Sequence, residues 1–169
     1  MRARRAGTSV PRTSAGLLLH RAGAEGTEVL LVHPGGPLWA RKDEGAWSIP
    51  KGEHGPDEDP LASAEREFAE ELGAAPPPSA SDDVDLGEVR QAGGKVVRAW
   101  ARRGDLDTTR VTSNTFEMEW PPRSGQRREF PEIDRAEWFS FDAARAKANP
   151  AQGAFLDRLA SALAQRDAT

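Results

Sequence analysis

The chain has 169 residues, and its 37% apolar and 30% charged content is typical of a single globular domain rather than a disordered segment. It contains no cysteine, which excludes disulfides, thiolate metal sites and cysteine nucleophiles. The net charge of −4 argues against a general nucleic-acid-binding surface, and no apolar run approaches the roughly 20 residues of a membrane helix. We therefore expect no membrane segment and predict a cytoplasmic location.

The first twelve residues form a basic segment that differs from the rest of the chain. Arg2, Arg4 and Arg5 stand near its start, but no hydrophobic region follows them as it would in a secretory signal. We predict that residues 1–12 form a flexible basic arm, which is either solvated or in contact with an anionic partner. Residues 13–169 are predicted to form one domain.

The first half of this domain alternates strand patterns with turn formers. Residues 15–21 and 28–33 predict the two strands of a β-hairpin around residues 23–26. Residues 34–37 read Pro-Gly-Gly-Pro and force a loop, and residues 46–50 predict a short extended piece.

Residues 60–72 have the pattern of an amphipathic helix. The apolar positions recur at steps of three and four residues, at Leu61, Ala64, Phe68 and Leu72. Asp59 is predicted to cap the N-terminus of this helix, with Pro60 in its first turn, and Gly73 is predicted to end it.

Strand patterns dominate the second half of the chain. Strands are predicted at residues 84–89, 95–102, 115–120 and 136–139, and an amphipathic helix at residues 151–166. Strands and helices mixed in this order favour one α/β domain in which helices pack on a mixed sheet.

One face of the helix predicted at 60–72 carries three carboxylates. Glu67, Glu70 and Glu71 are spaced at i, i+3 and i+4, which brings their side chains to the same face. Because like charges repel, the cluster is either a solvated acidic face or a site for a hard divalent ion such as Mg²⁺ or Mn²⁺. The spacing alone leaves both interpretations open.

A longer motif encloses these carboxylates. Residues 52–74 read GEHGPDEDPLASAEREFAEELGA and match the pattern G-x5-E-x7-R-E-U-x-E-E-x-G-U, in which U is apolar. All fixed positions of this pattern are present, at Gly52, Glu58, Arg66, Glu67, Glu70, Glu71 and Gly73. The segment resembles the Nudix box, and a match of this length is far more specific than a lone glycine motif. Residues 47–52, WSIPKG, are similar to the W-x-x-P-K-G lead-in of one broad Nudix subgroup.

The resemblance implies a fold and a metal site. The fold is a Nudix-type α/β/α sandwich with a mixed β-sheet, and the cofactor is Mg²⁺, with Mn²⁺ as a substitute. The metal ligands are expected to be the carboxylates of Glu67, Glu70 and Glu71 and the carbonyl oxygen of Gly52. Glu58 is expected to fix the loop of the box against the helix.

The resemblance also implies a reaction, the attack of water at phosphorus in a diphosphate linkage. A carboxylate, Glu67 or Glu71 in the box or one from a later loop, is expected to accept the proton of the water. Arg66 is expected to orient a carboxylate through a salt bridge to Glu70 or Glu67.

Residues outside the box are expected to select the substrate. For the distal base or metal ligand, the resemblance favours Glu129 and Glu132, in a flexible loop before the strand at 136–139. The groups first expected to contact the substrate are Lys51, Trp47, Arg41 and Lys42, through phosphate contacts or ring stacking. For Trp47 a place in the hydrophobic core is the alternative.

The substrate that the resemblance implies is a small nucleotide, foremost a nucleoside or dinucleoside polyphosphate. The chain has no tyrosine, which related dinucleoside polyphosphate hydrolases use to stack on a base. The candidates for stacking in its place are Trp39, Trp47, Trp100 or a phenylalanine. The alternatives are an ADP-ribose-type or other nucleotide-sugar pyrophosphatase and a catalytically silent module that binds a nucleotide. Isopentenyl diphosphate isomerase is set aside because its chemistry uses a cysteine. The oligomeric state expected from relatives is a monomer or homodimer.

Overall fold

The computed structural model describes residues 12–80 and 82–169. Within them the strands and helices follow the order β1 Thr13–Gly23, β2 Gly26–Pro34, β3 Lys51–Glu53, α1 Pro60–Leu72, β4 Val84–Arg90, β5 Val96–Arg103, β6 Thr115–Glu119, β7 Arg127–Pro131, β8 Ile133–Ser140, α2 Phe141–Lys147 and α3 Gly153–Asp167. The basic arm predicted at residues 1–12 lies outside the described residues, apart from Arg12. No helix in the described part of the chain is long and apolar enough to cross a membrane.

The main sheet is mixed and has six strands. Its order is β4-β5-β1-β2-β8, and β3 pairs with β1. Strand β1 runs parallel to β5 and antiparallel to β2 and β3, and the hairpin predicted around residues 23–26 is confirmed by the pairing of Gly23 with Gly26. A second, two-stranded sheet is formed by β6 and β7.

Strand β1 pairs with different strands along its length, and this change of partner positions the box. The second half of β1 pairs with β2, whereas its first half pairs with β3, so that Ala15 lies opposite Gly52. The segment that precedes β3 enters between the two strands: the amide of Leu17 donates to Pro50 O (3.1 Å), and Ser48 exchanges backbone hydrogen bonds with Val32 (2.8 and 3.0 Å). The segment that leads into the box therefore forms hydrogen bonds with β1 and β2, two inner strands of the main sheet.

Helices cover both faces of this sheet, which confirms the α/β/α sandwich. On one face α1 contributes Ala64, Phe68 and Leu72 to a core that includes Leu17 and Leu19 of β1. On the other face α2 and α3 pack against alternate residues, with Leu18, Val29, Ala144, Phe155 and Leu159 in the core. Burying each large side chain contributes about 1.5–3 kcal/mol, so both layers contribute to stability.

The ends of α1 are those that the sequence predicts. Asp59 is extended (φ −66°, ψ 120°), and its side chain accepts a hydrogen bond from the amide of Ala62 (3.1 Å). Gly73 adopts the left-handed conformation (φ 71°), and its amide donates to Ala69 O (2.8 Å). Both ends of the helix that carries the carboxylates are thus held by local bonds.

Two regions differ from the prediction. Helix α2 was not predicted, and the predicted helix at 151–166 is α3 preceded by a 3-10 turn, Pro150–Gln152. The flexible loop expected around Glu129 is wrong, because this residue lies in β7 and pairs with Glu117 of β6. Its backbone is held by the ladder of a two-stranded ribbon rather than free to move.

Candidate active site

Two carboxylates of α1 lie against β3: Glu67 contacts Gly52, and Glu71 contacts Lys51 and lines a cavity of about 280 Å³. Gly52, Glu67 and Glu70 are not among the residues that line this cavity. Lys51, Glu71 and Glu132 lie together in its lining. The amide of Lys51 donates to Oε2 of Glu71 (3.3 Å), which joins the helix to the lead-in strand. This bond brings the residue before the box and the helix of the box together at one wall of the cavity.

Gly52 lies against the carboxylate of Glu67. A Cβ atom at position 52 would lie 2.5 Å from Oε1 of Glu67 and still closer to its carboxyl carbon. A side chain at this position would therefore fit only if the carboxylate of Glu67 moved away. The backbone of Gly52 and the carboxylate of Glu67 are adjacent, as their predicted sharing of a metal ion requires.

Arg66 holds the acidic groups of the box in one network. Its Nη2 lies 3.4 Å from Oε2 of Glu58 and 3.5 Å from Oε1 of Glu67, and its Nε lies 3.9 Å from Oε1 of Glu70. Ser63 Oγ donates to the same oxygen of Glu58 (3.0 Å). Because Arg66 is about half exposed, each pair contributes little to stability alone, and its contacts agree with the orienting role expected from the sequence.

Burial and mutual repulsion disfavour the charged forms of two box carboxylates. Burial raises the pKa of Glu71 to about 8, against the opposing charge of Lys51. Burial also raises the pKa of Glu67, and the nearby charges of Glu70 and Glu132 add to that increase. A cation at the site would relieve this cost by supplying positive charge.

The donor chemistry of the site fits a hard divalent ion. Gly52 offers a carbonyl oxygen, and Glu67, Glu70 and Glu71 offer carboxylates. Within residues 12–80 and 82–169, however, no three acidic or histidine side chains are arranged to hold an ion by themselves. Divalent ions of this kind can complete their coordination with waters and with oxygens of substrate phosphates.

The comparisons with known proteins agree with this geometry. The family model of the NUDIX domain matches residues 10–159 of the chain. The chain belongs to the Nudix family. As a member of this family that has every fixed position of the box, it is a pyrophosphohydrolase.

Several solved structures share the fold of this chain. The Ap4A hydrolase of C. elegans, in a binary complex, is 21% identical over 90% of this chain and 98% of that chain, with a TM-score of 0.61. The NUDIX domain of Shewanella oneidensis NrtR, complexed with ADP ribose, is 13% identical over 95% and 94%, with a TM-score of 0.62. The MutT protein from Methanosarcina mazei Go1 is 21% identical over 90% and 96%, with a TM-score of 0.57. At these identities the likeness shows the fold, and a search of curated proteins found no match.

The four residues first expected to contact the substrate of this Nudix enzyme are not gathered in one place. Lys51 lines the cavity and is half buried, and burial together with the charge of Lys95 lowers its pKa to about 8. Lys42 lies on an exposed loop, where its Nζ is 4.7 Å from the ring centroid of Trp39. Arg41 is exposed on the same loop and is not among the residues that line the cavity.

The two tryptophans near the Nudix site differ in how far they are exposed. Trp47 is only 1% exposed, packs edge-on against His33 and Phe139, and donates from Nε1 to Asp43 (2.8 Å). The structure therefore favours the core interpretation of Trp47 over stacking on a base. Trp39 is 38% exposed and lines the cavity, so its ring is the one that a ligand can reach.

The structure distinguishes between the two distal carboxylates. Glu132 lines the cavity, and its charge acts on both Glu67 and Glu71. Glu129 instead accepts a hydrogen bond from Oγ1 of Thr115 within the β6–β7 ribbon, outside the described cavity lining. Only Glu132 is brought to the Nudix box.

Sequence reasoning missed three polar residues of the cavity, Gln91, Asn149 and Gln152. They belong to the turn after β4 and to the segment between α2 and α3, far from the box in the chain. No local pattern marks such residues, because single amides are common in turns and do not carry a spacing signal.

Proposed function

We propose that the protein hydrolyses a diphosphate linkage in a nucleoside or dinucleoside polyphosphate in a Mg²⁺-dependent reaction. The observation that carries the proposal is the junction of Lys51 and Glu71 at one wall of the cavity, with Glu132 in the same lining. Lys51 thus supplies a cation that can bind phosphate, and Glu71 and Glu132 supply carboxylates that can bind a metal ion or accept a proton. All three lie beside a space that can hold a nucleoside.

The chain's own residues divide the chemistry among them. Mg²⁺, when bound, supplies positive charge to the phosphoryl oxygens and lowers the pKa of the attacking water. Glu67, Glu71 or Glu132 accepts the proton of that water as its oxygen bonds to phosphorus and the anhydride P–O bond breaks. The ammonium group of Lys51 donates hydrogen bonds to phosphate oxygens, and Arg66 keeps the box carboxylates in place.

A second pocket supports a substrate with groups at both ends of its phosphate chain. This pocket, about 240 Å³ in volume, is lined by Leu38, Trp39, Phe116 and Met118. It shares Trp39 and Glu132 with the first cavity, so one ligand can extend across both. The apolar, aromatic lining suits a flat base, which favours a dinucleoside polyphosphate.

An ADP-ribose-type substrate is the second candidate. It also has groups on both sides of a diphosphate, and the Shewanella oneidensis domain complexed with ADP ribose aligns over 95% of this chain. A substrate panel separates the candidates: diadenosine tetraphosphate, nucleoside triphosphates, ADP-ribose and NADH, with products identified by chromatography. Hydrolysis in ¹⁸O-water identifies the phosphorus that is attacked.

Two variants test whether the box carries the reaction. Glu70→Gln and Glu71→Gln are expected to lower kcat by 100-fold or more, on the order of what a displaced catalytic group costs. Glu25→Gln, at the exposed tip of the first hairpin, is the matched control and is expected to keep full activity. Tight binding of one nucleotide without turnover of any would contradict the proposal and favour a regulatory module. The cytoplasmic location and the monomeric or homodimeric state stay predictions.

A further inference from the structure

A chain of amide hydrogen bonds lies in the wall of the first cavity. Gln152 is only 1% exposed, and its Oε1 accepts from the amide of Ile49 (3.0 Å). Its Nε2 donates to Oγ of Ser48 (3.0 Å) and to Oε1 of Gln91 (2.9 Å). Ser48 Oγ donates in turn to Ile49 O (2.8 Å). These bonds join the lead-in to the box with the turn after β4.

The direction of this chain is determined by a single backbone group. The amide of Ile49 can only donate, so the side-chain atom of Gln152 facing it must be the oxygen. The nitrogen of Gln152 then faces Gln91, whose facing atom must be its oxygen. Reversing either amide would bring two donors together in a buried place, which is strongly unfavourable.

This direction leaves the amide nitrogen of Gln91 as a donor that has no partner within residues 12–80 and 82–169. Its oxygen accepts from Gln152, and Gln91 is part of the cavity lining, so its two N–H groups are available to a ligand there. An uncharged donor suits an uncharged acceptor, whereas phosphate oxygens are better served by the cation of Lys51. Val32, Ile49 and Trp39 supply apolar wall next to it.

We propose that Gln91 is a specificity-determining residue that donates a hydrogen bond to an acceptor on the nucleobase of the substrate, and that Gln152 is the positioning residue that keeps this donor in place. The acceptor is a carbonyl oxygen or a ring nitrogen. The proposal rests on the proposed function in so far as the ligand is a nucleotide. It adds a requirement that the box residues do not impose: the base must present an acceptor to the N–H groups of the Gln91 amide.

The test is a binding comparison that does not depend on turnover. Isothermal titration measures the affinities of AMP, GMP, CMP and UMP and of ribose 5-phosphate, which has the sugar phosphate but no base. The wild type is expected to bind at least one nucleotide more tightly than ribose 5-phosphate. In Gln91→Met and Gln91→Glu the ratio of these two affinities is expected to fall about 10-fold, as the loss of about 1.4 kcal/mol of hydrogen bonding implies.

The two substitutions at Gln91 separate the loss of the donor from the gain of a negative charge. Methionine removes the donor without adding charge, and glutamate keeps the shape but offers only acceptors. Any general effect of charge on phosphate binding cancels in the ratio, because ribose 5-phosphate carries the same phosphate. An unchanged ratio in both variants, or a wild type that binds no nucleotide better than ribose 5-phosphate, would overturn the inference.

A double-mutant cycle tests the positioning role of Gln152. Gln152→Met is expected to lower the same ratio in the wild type but not in the Gln91→Met background. A merely structural residue would lower the melting temperature and leave the ratio unchanged, or act equally in both backgrounds, and either result would overturn the positioning role. Failure of the proposed function would appear separately, as absence of hydrolysis across the substrate panel.

Discussion

Replacing Gly52 by alanine tests whether the contact between β3 and α1 sets the geometry of the box. The new Cβ atom would lie 2.5 Å from Oε1 of Glu67, whereas ordinary contact begins at about 3.4 Å. The carboxylate must therefore retreat by about 1 Å or more. Because it is the end of a flexible side chain, it can rotate away without moving the backbone.

The expected result is a folded protein that has lost its activity. The melting temperature should stay within a few degrees of the wild type, since Gly→Ala at a compatible position changes stability by only about 0.4–1 kcal/mol. Hydrolysis should fall about 100-fold, the usual cost of displacing a catalytic group by 1 Å. Initial rates on the best substrate of the panel, with Mn²⁺ titration as a second readout, measure the effect.

A matched control lies three residues further along the chain, in the loop that follows β3. A Cβ at Gly55 meets nothing within 4 Å, so Gly55→Ala should keep both stability and activity. Wild-type hydrolysis and metal affinity in Gly52→Ala would refute the reasoning, because they would show that Glu67 need not lie against the backbone of residue 52. Loss of folding in Gly52→Ala would refute it as well.

Three further predictions concern stability and pH. Arg102 is 2% exposed and donates through Nε and Nη2 to Asp83 (2.8–3.2 Å). Arg102→Met should therefore lower the free energy of unfolding, measured by urea titration, by about 3–5 kcal/mol. An unchanged free energy of unfolding would contradict this prediction. Burial, followed by the charge of Arg103, lowers the pKa of His20, so stability should decrease as pH falls below 6.5, and His20→Gln should flatten this decrease. Burial raises the pKa of Glu71 to about 8, so the metal-free protein should lose stability as pH rises from 4.5 through 8. If a Glu71→Gln variant had the same dependence of stability on pH, this prediction would be contradicted.

The helix and its capping could be predicted because their signals are local. The carboxylate spacing, the N-cap Asp59 and the left-handed Gly73 each depend on contacts within one or two turns of α1. The hairpin of β1 and β2 was predictable for the same reason, since its strands are joined by a short turn. The helix α2 was missed because its seven residues are too few to show a periodic pattern.

The cavity could not be predicted in the same way, because its lining comes from distant parts of the chain. Glu129 and Glu132 are equivalent in sequence, and only the pairing of β7 with β6 separates one from the site. Trp47 and Trp39 are both aromatic residues beside the box, and only packing decides which is buried.

The sequence by itself determined the family and the pyrophosphohydrolase class, and it singled out the carboxylates that we propose as metal ligands, since the motif that carries this information lies within residues 52–74. The tertiary structure decided which distant side chains line the cavity. Gln91 and Gln152 are 61 residues apart, and their bond exists only because the sheet and α3 bring two turns together. Spacing along a chain encodes which side chains share a helix face, whereas the direction of a buried hydrogen-bond chain depends on long-range packing.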